Sequence, residues 1–334
     1  MKENLATSDQ LTTLLMENYD LVRKSKTGFA AKRIQLLIAC LFTGKNETIN
    51  LEDFSELNQQ FKKALGSFTA LTTNTRVSIA GLLLADAYEE EDLVSSVIQN
   101  YQMLIGAGFK RTEYTYFAAY LLLKYPPEER QQLASRAREI YQLIRKDHPF
   151  LTGTEDVTSA VLLAGLPSEE KPEAIAARNE YYFQQFADIG LKKENSLQFL
   201  AATATCLYPN REKNFIQQYR RVYRSLKEKK IRVKPLHYVT LGILTFLTQG
   251  EPATEELEAL IQQIRVQKGL RFEGAAFQTA LALSLYTEQR VGEMSQAQIE
   301  SLMISVHVLI AIEQAAAVSA AAAASAAAAS SSSS

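Results

Sequence analysis

The stretch Tyr101–Leu123, YQMLIGAGFKRTEYTYFAAYLLL, decides the fold. Leading into it, Leu93, Val97, Tyr101 and Leu104 recur at steps of three and four, which places them on one face of a helix. A short basic turn follows, Gly108-Phe109-Lys110-Arg111, and then a second segment that is apolar nearly all the way round. A helix with one apolar stripe keeps a wet face, whereas a helix apolar on every side must be buried on every side. The unit is therefore a helical hairpin, with an outer first helix and an inner second helix.

The same plan returns along the chain. It recurs in YQLIRKDHPFLTGTEDVTSAVLLAG (Tyr141–Gly165) and YYFQQFADIGLKKENSLQFLAATATCL (Tyr181–Leu207), and more weakly in Tyr223–Leu247 and Leu260–Tyr286. Two divergent copies precede them: Ser8 caps a first helix that Gly28-Phe29 ends, and Phe54, Leu57, Phe61 and Leu65 stripe the next. Gly108, Pro149, Gly190, Lys230 and Gly269 fall roughly 40 residues apart, a helical-repeat period. No stretch alternates as a half-buried strand does. The expected fold is all-α, an α/α superhelix of about seven hairpins; periodicity does not separate an open superhelix from one curved into a toroid. Residues 1–314 form one domain, with a last helix from Ser295. The Ala/Ser tail 315–334 has little to bury, so a fraying helix passing into disorder is expected.

Composition narrows the classes. Apolar residues at 47% supply a core, and a formal charge of −1 gives no global sign of nucleic acid or membrane. Cys40 and Cys206 lie in apolar runs and read as buried, reduced thiols. The start MKENLATSDQLTTLL has no basic-then-apolar leader, which points to the cytoplasm. The apolar run Leu302–Ile312 is far shorter than the ~20 residues of a membrane span, so no membrane partner is expected.

GFKRTEYTYFAAYLLL, HPFLTGTEDVTSAVLLAG and GLKKENSLQFLAA, in that order and spacing, resemble an uncharacterised bacterial family found mainly in Firmicutes, the four-thousand-and-third domain of unknown function. The resemblance covers Tyr19 to Gln314. It implies a bacterial cytoplasmic protein, and it carries no known activity and no catalytic residues.

Charge placement is the next signal. Turns inside hairpins carry Lys110 and Arg111, Lys192 and Lys193, Lys229, Lys230, Arg232 and Lys234, then Lys268 and Arg271. Connections between hairpins carry Glu89–Asp92, Glu128 and Glu129, Glu169, Glu170 and Glu173, then Glu251, Glu255, Glu256 and Glu258; Pro209–Lys213 breaks the rule. Stacked hairpins place all turns of one kind on one edge, giving a basic rim and an acidic rim. Helix polarity also favours this arrangement, by a few tenths of a kcal/mol per charge.

Three functions compete. Repeat arrays present extended surfaces, so the preferred one is a non-enzymatic scaffold binding a protein or other anionic partner at the basic rim: Lys110, Arg111, Lys192, Lys193, Lys230, Arg232, Lys234 and Arg271. An enzyme would use His148 with Glu155 and Asp156 in the fourth turn, KDHPFLTGTED, since imidazole and carboxylate suit acid/base work. There, Thr154 followed by two acids also reads simply as a helix cap. The segment Tyr219–Lys234 mixes Arg220, Arg221, Arg224 and Lys227 with aromatics, as nucleic-acid grooves do, although Tyr219 and Tyr223 lie on the apolar stripe. No cofactor loop, nucleophile elbow or metal-ligand spacing is present, so neither cofactor nor metal is expected. Glycosidase chemistry lacks facing carboxylates and Trp platforms.

Overall fold

A computed structural model of the chain describes residues 6–25, 30–65, 71–86, 88, 92–251 and 254–291. The expected last helix from Ser295, the tail, Gly28-Phe29, most of the second hairpin turn and Glu89–Glu91 lie outside the described residues. Among those described there are fourteen α-helices and no strand. The outer helices are α1 (Ser8–Lys24), α3 (Leu51–Leu65), α5 (Leu93–Gly106), α7 (Pro127–Asp147), α9 (Pro172–Asp188), α11 (Lys213–Glu228) and α13 (Thr254–Val266). The inner ones are α2 (Lys32–Gly44), α4 (Thr73–Asp86), α6 (Glu113–Leu121), α8 (Val157–Ala164), α10 (Asn195–Leu207), α12 (Tyr238–Leu247) and α14 (Ala275–Val291).

Each outer helix packs on the inner helix that follows it, and each inner helix packs on the next, from α2 through to α14. The array then closes, with α14 against α2 and α13 against α1. Polar bonds bind the seam on both faces. Lys32 Nζ donates to the Gly269 carbonyl at 2.7 Å, Arg33 Nη2 to the Glu273 carbonyl at 2.7 Å, and Gln289 Nε2 to the buried Gly44 carbonyl at 2.9 Å. The described residues form a ring of seven hairpins.

Closure follows from the inner helices. Every residue of α8, and all of α12 from Tyr238 to Thr245, is buried. Small residues let these helices meet closely: a Cβ on Gly81 would lie 2.8 Å from Ile38, and one on Gly242 would lie 2.6 Å from Leu200. Outer helices bury one stripe only, for example Phe215, Tyr219, Val222 and Leu226 on α11. Phe186 of α9 packs edge-on to Phe215 and Tyr219, with ring centroids 6.0 and 5.0 Å away, and so carries the core between hairpins.

The repeated basic turn has a backbone cause. After α5, α9 and α11 the chain turns through a left-handed residue, Gly108, Gly190 or Lys230 (φ 97°, 94° and 59°). The next amide donates back five residues: Phe109 N to Leu104 O, Leu191 N to Phe186 O, and Ile231 N to Leu226 O, at 3.1, 3.3 and 2.9 Å. This is the Schellman termination, with its apolar residue tucked against the helix end. Phe109, Leu191 and Ile231 are buried, and the cations after them point outward. Local starts differ from expectation in two places. Thr7, not Ser8, caps α1, because its hydroxyl accepts from Gln10 N (3.3 Å) while the Gln10 side chain accepts from Thr7 N (2.8 Å). Before α8, a 3-10 turn over Thr154–Asp156 takes the place of a Thr154 cap, and the Asp156 carboxylate accepts from Gly153 N at 2.8 Å.

Substituting Gln289→Ala strips the Gly44 carbonyl of its donor. The expected loss is about 1–3 kcal/mol in urea unfolding. In an unclosed array the same change would fall on a free end and cost less than about 0.5 kcal/mol, so a value that small would refute the seam.

Candidate functional site

Because the inner wall is buried, ligands have access to the ring's two faces and its outer wall. On the hairpin-turn face, neighbouring turns are tied around the ring: Ala31 N donates to Asn74 (2.8 Å), Thr75 to Glu113 (2.7 Å), Asn195 to Glu155, Lys192 N to the Tyr238 hydroxyl (3.3 Å). His237 completes the series. Its Nδ1 accepts from Lys234 N, so Nε2 carries the proton and donates to Ala276 O at 2.8 Å. Burial holds this imidazole neutral, lowering its pKa to about 4.

These ties engage three carboxylates of the face, while Asp147, Asp188, Glu194 and Glu228 lie among its cations outside them. Glu113, Glu155 and Glu273 are partly buried and bonded to neighbouring turns, Glu273 pairing with Lys32 and Arg33. All eight residues of the expected basic rim are exposed. Among the described residues, Lys110, Lys192, Lys193, Lys230, Arg232 and Lys234 form no ion pair; Lys229 is 3.4 Å from Glu258, which takes Glu258 out of the acidic set. Further cations end the outer helices here, namely Arg23, Lys24, Lys62, Lys63, Arg145 and Lys146. The sequence did not reveal a second feature of this face. Phe150, in the fourth turn, is 100% exposed; Phe272, in the seventh, is 80% exposed, and Val266, at the end of α13, is 76% exposed. Arg271 lies over the Phe272 ring, 4.6 Å from its centroid.

On the opposite face Glu128, Glu129, Glu169, Glu173, Glu251 and Glu255 are exposed, while Glu170 pairs with Arg178 and Glu256 with Arg290. A cluster that the sequence did not suggest lies among the inner-helix ends. Asp86 receives the Tyr120 hydroxyl and lies 3.2 Å from Lys45 Nζ. Half-buried Lys124 lies beside Asp86; burial lowers its pKa to about 7, and the Asp86 carboxylate pulls it partly back. Burial likewise raises the Cys206 thiol to about 12, so it is no thiolate. The available signal was an ionisable residue ending or closely following an otherwise apolar inner segment.

The fourth-turn candidates are not joined as a catalytic group. His148 bonds to Glu180 on α9 and packs at a tilt against the Phe183 ring, Glu155 bonds to Asn195, and Asp156 turns inward. Asp156 shares a small buried cavity with Thr152, Ser159, Asn179 and Gln198. With the Gln198 amide oxygen accepting from Thr152, its nitrogen donates to Asp156 Oδ1 at 3.2 Å. Ser159 Oγ and Asn179 Oδ1 have no partner there. Burial raises the Asp156 pKa to about 8, against the bond from Gly153 that favours the ion. In the basic segment, Tyr219 is fully buried and Tyr223 half-buried, so α11 shows solvent cations without an aromatic platform. Among the described residues no three His, Cys, Asp or Glu groups converge as a metal site, and no helix is long and apolar enough to cross a membrane.

Comparison with known proteins finds one family whose model, described as "Protein of unknown function (DUF4003)", matches residues 18–315. The "Uncharacterized protein YeaA" of Bacillus subtilis (strain 168) is 25% identical over 304 residues, covering 89% of each chain. No solved structure matches.

Asp156 makes stability depend on pH. Below about 4 both folded and unfolded chains carry its proton, and between about 4 and 8 only the folded chain holds it. The folded state then binds more protons, so stability falls as pH rises through that window, and the full penalty remains above it. Asp156→Asn keeps an acceptor for Gly153 N and cannot ionise. Its melting temperature is expected to exceed wild type by several degrees above pH 8 and to converge with it near pH 4; parallel curves would refute the assignment.

Proposed function

The chain belongs to the DUF4003 family of proteins of unknown function, and from its surface we propose that it is a non-enzymatic helical-repeat module that docks an anionic partner on the hairpin-turn face. The observation that carries this is the mismatch on that face. Glu113, Glu155 and Glu273 are spent on tying turn to turn, and against the remaining Asp147, Asp188, Glu194 and Glu228 stand more numerous exposed cations, Lys110, Lys192, Lys193, Lys230, Arg232 and Lys234 among them. An overall charge of −1 is thereby divided between a basic and an acidic face, and such a field orients an anionic partner before contact. Nucleic acid fits less well, since α11 lacks exposed stacking rings.

The test is Lys192→Gln with Lys193→Gln, read by retention on an immobilised acidic polymer. Both residues are exposed beyond the end of α9, so folding stability should stay within about 0.5 kcal/mol of wild type. Retention should weaken as salt rises, and the double variant should elute at clearly lower salt. Retention that neither salt nor the two substitutions alter would end the proposal.

One observation favours an enzyme instead, with Lys124 rather than His148 at its centre. An amine whose pKa is near 7 is largely neutral at pH 7.5 and therefore nucleophilic, and Asp86, which accepts from the Tyr120 hydroxyl, lies beside it. Limited acylation at pH 7.5, mapped by mass spectrometry, should modify Lys124 ahead of the exposed rim lysines. Preferential labelling of Lys192 and Lys193 would dispose of this alternative.

A further inference from the structure

Resting on the anion-docking role proposed above, we infer that the partner of the hairpin-turn face is an anionic lipid surface, met by a cationic ring with Phe150 and Phe272 as two apolar prongs. The turns bearing them, fourth and seventh of seven, are three steps apart and so lie in nearly opposite sectors. Inner helices at the usual spacing of about 8–10 Å form a circle about 20 Å across, and the outer layer widens the disc to about 40 Å. A target must be flat over that width and yield apolar space at both prongs. Protein interfaces gather their aromatic anchors near the centre, inside a ring of polar contacts. Here the aromatics are peripheral, and cations fill the sectors between them: Lys192 and Lys193 in the fifth turn, Lys230, Arg232 and Lys234 in the sixth.

The chemistry of each prong agrees with this. Arg271 stacked on Phe272 lets the ring enter the acyl boundary while the guanidinium remains among phosphates. Val266 adds exposed apolar surface at the end of α13, just before the seventh turn, and Lys146 precedes Phe150 in the chain, as does the exposed Asp147. Anionic headgroups attract nearby Lys and Arg within a Debye length, and the acidic opposite face is repelled, so the disc approaches in one orientation. No spanning helix is involved; the contact is peripheral.

The chain contains no tryptophan, which makes Phe150→Trp a single fluorescent reporter at the fourth turn. The full-length variant is titrated with vesicles of phosphatidylcholine alone and of phosphatidylcholine mixed with phosphatidylglycerol. A blue shift with the anionic vesicles only, reversed by salt, is the expected result. In co-sedimentation, Phe150→Ser and Phe272→Ser should each weaken binding roughly tenfold or more, while circular dichroism and melting remain as in wild type because both side chains are exposed. Salt-sensitive retention on an acidic polymer without vesicle binding would overturn the lipid assignment and favour an acidic protein partner, leaving the anion-docking role intact. Vesicle binding indifferent to both serine substitutions would likewise overturn the prong assignment. Failure to bind either probe would remove both proposals.

Discussion

Seven inner helices buried over nearly their whole circumference are, among the described residues, the constraint from which the architecture follows. An outer helix can shield one flank of such an inner helix, and its two neighbours in the inner layer shield two more. In an open array the first and last inner helices would each lack one neighbour, exposing surfaces such as those of α2 and α14. Bringing α14 onto α2 removes both ends at once. Repeat proteins commonly solve this with polar terminal caps; here the ends cap each other, and the seam is finished with backbone-directed bonds from Lys32, Arg33 and Gln289.

The same turn chemistry that ends the outer helices builds the surface. A left-handed residue followed by a buried Phe109, Leu191 or Ile231 reverses the chain and leaves the next two or three positions with nowhere to go but solvent. Those positions are where cations occur. Packing therefore fixes where side chains are displayed, and composition at those few positions settles what is displayed.

The layering and the hairpin count were legible because they depend on local periodicity, which survives in each copy even where the turns diverge. Closure was not, since whether the last hairpin meets the first depends on a small rotation per repeat that no single segment encodes. The fate of the fourth turn was likewise non-local. His148 beside Glu155 and Asp156 looks convergent along the chain, yet a 3-10 turn directs Asp156 into the core while Glu180, thirty-two residues later, captures His148. Asp86, Tyr120, Lys124 and Cys206 come from three separate inner helices or the residues just past them, and only ring geometry brings them together. The exposure of Phe150 and Phe272 was not legible either, because sequence does not show which apolar residue of a turn tucks in and which stands out.

Helix polarity accounts for part of the charge separation and fails at a specific place. Arg23, Lys24, Lys62, Lys63, Arg145 and Lys146 occupy the last turns of outer helices, where the dipole favours cations by about 0.3–1 kcal/mol. Lys234 instead stands directly before the turn that leads into α12, and Lys32 and Arg33 open α2, at ends where the dipole disfavours positive charge. Lys192 and Lys193 lie between one helix end and the next start, where the two dipoles oppose each other. Arg33 is compensated by Glu273, but Lys234 and the Lys192–Lys193 pair face solvent. The helix dipole therefore does not account for the cations at those positions, which belong to the composition of the turns rather than to the termination of the outer helices.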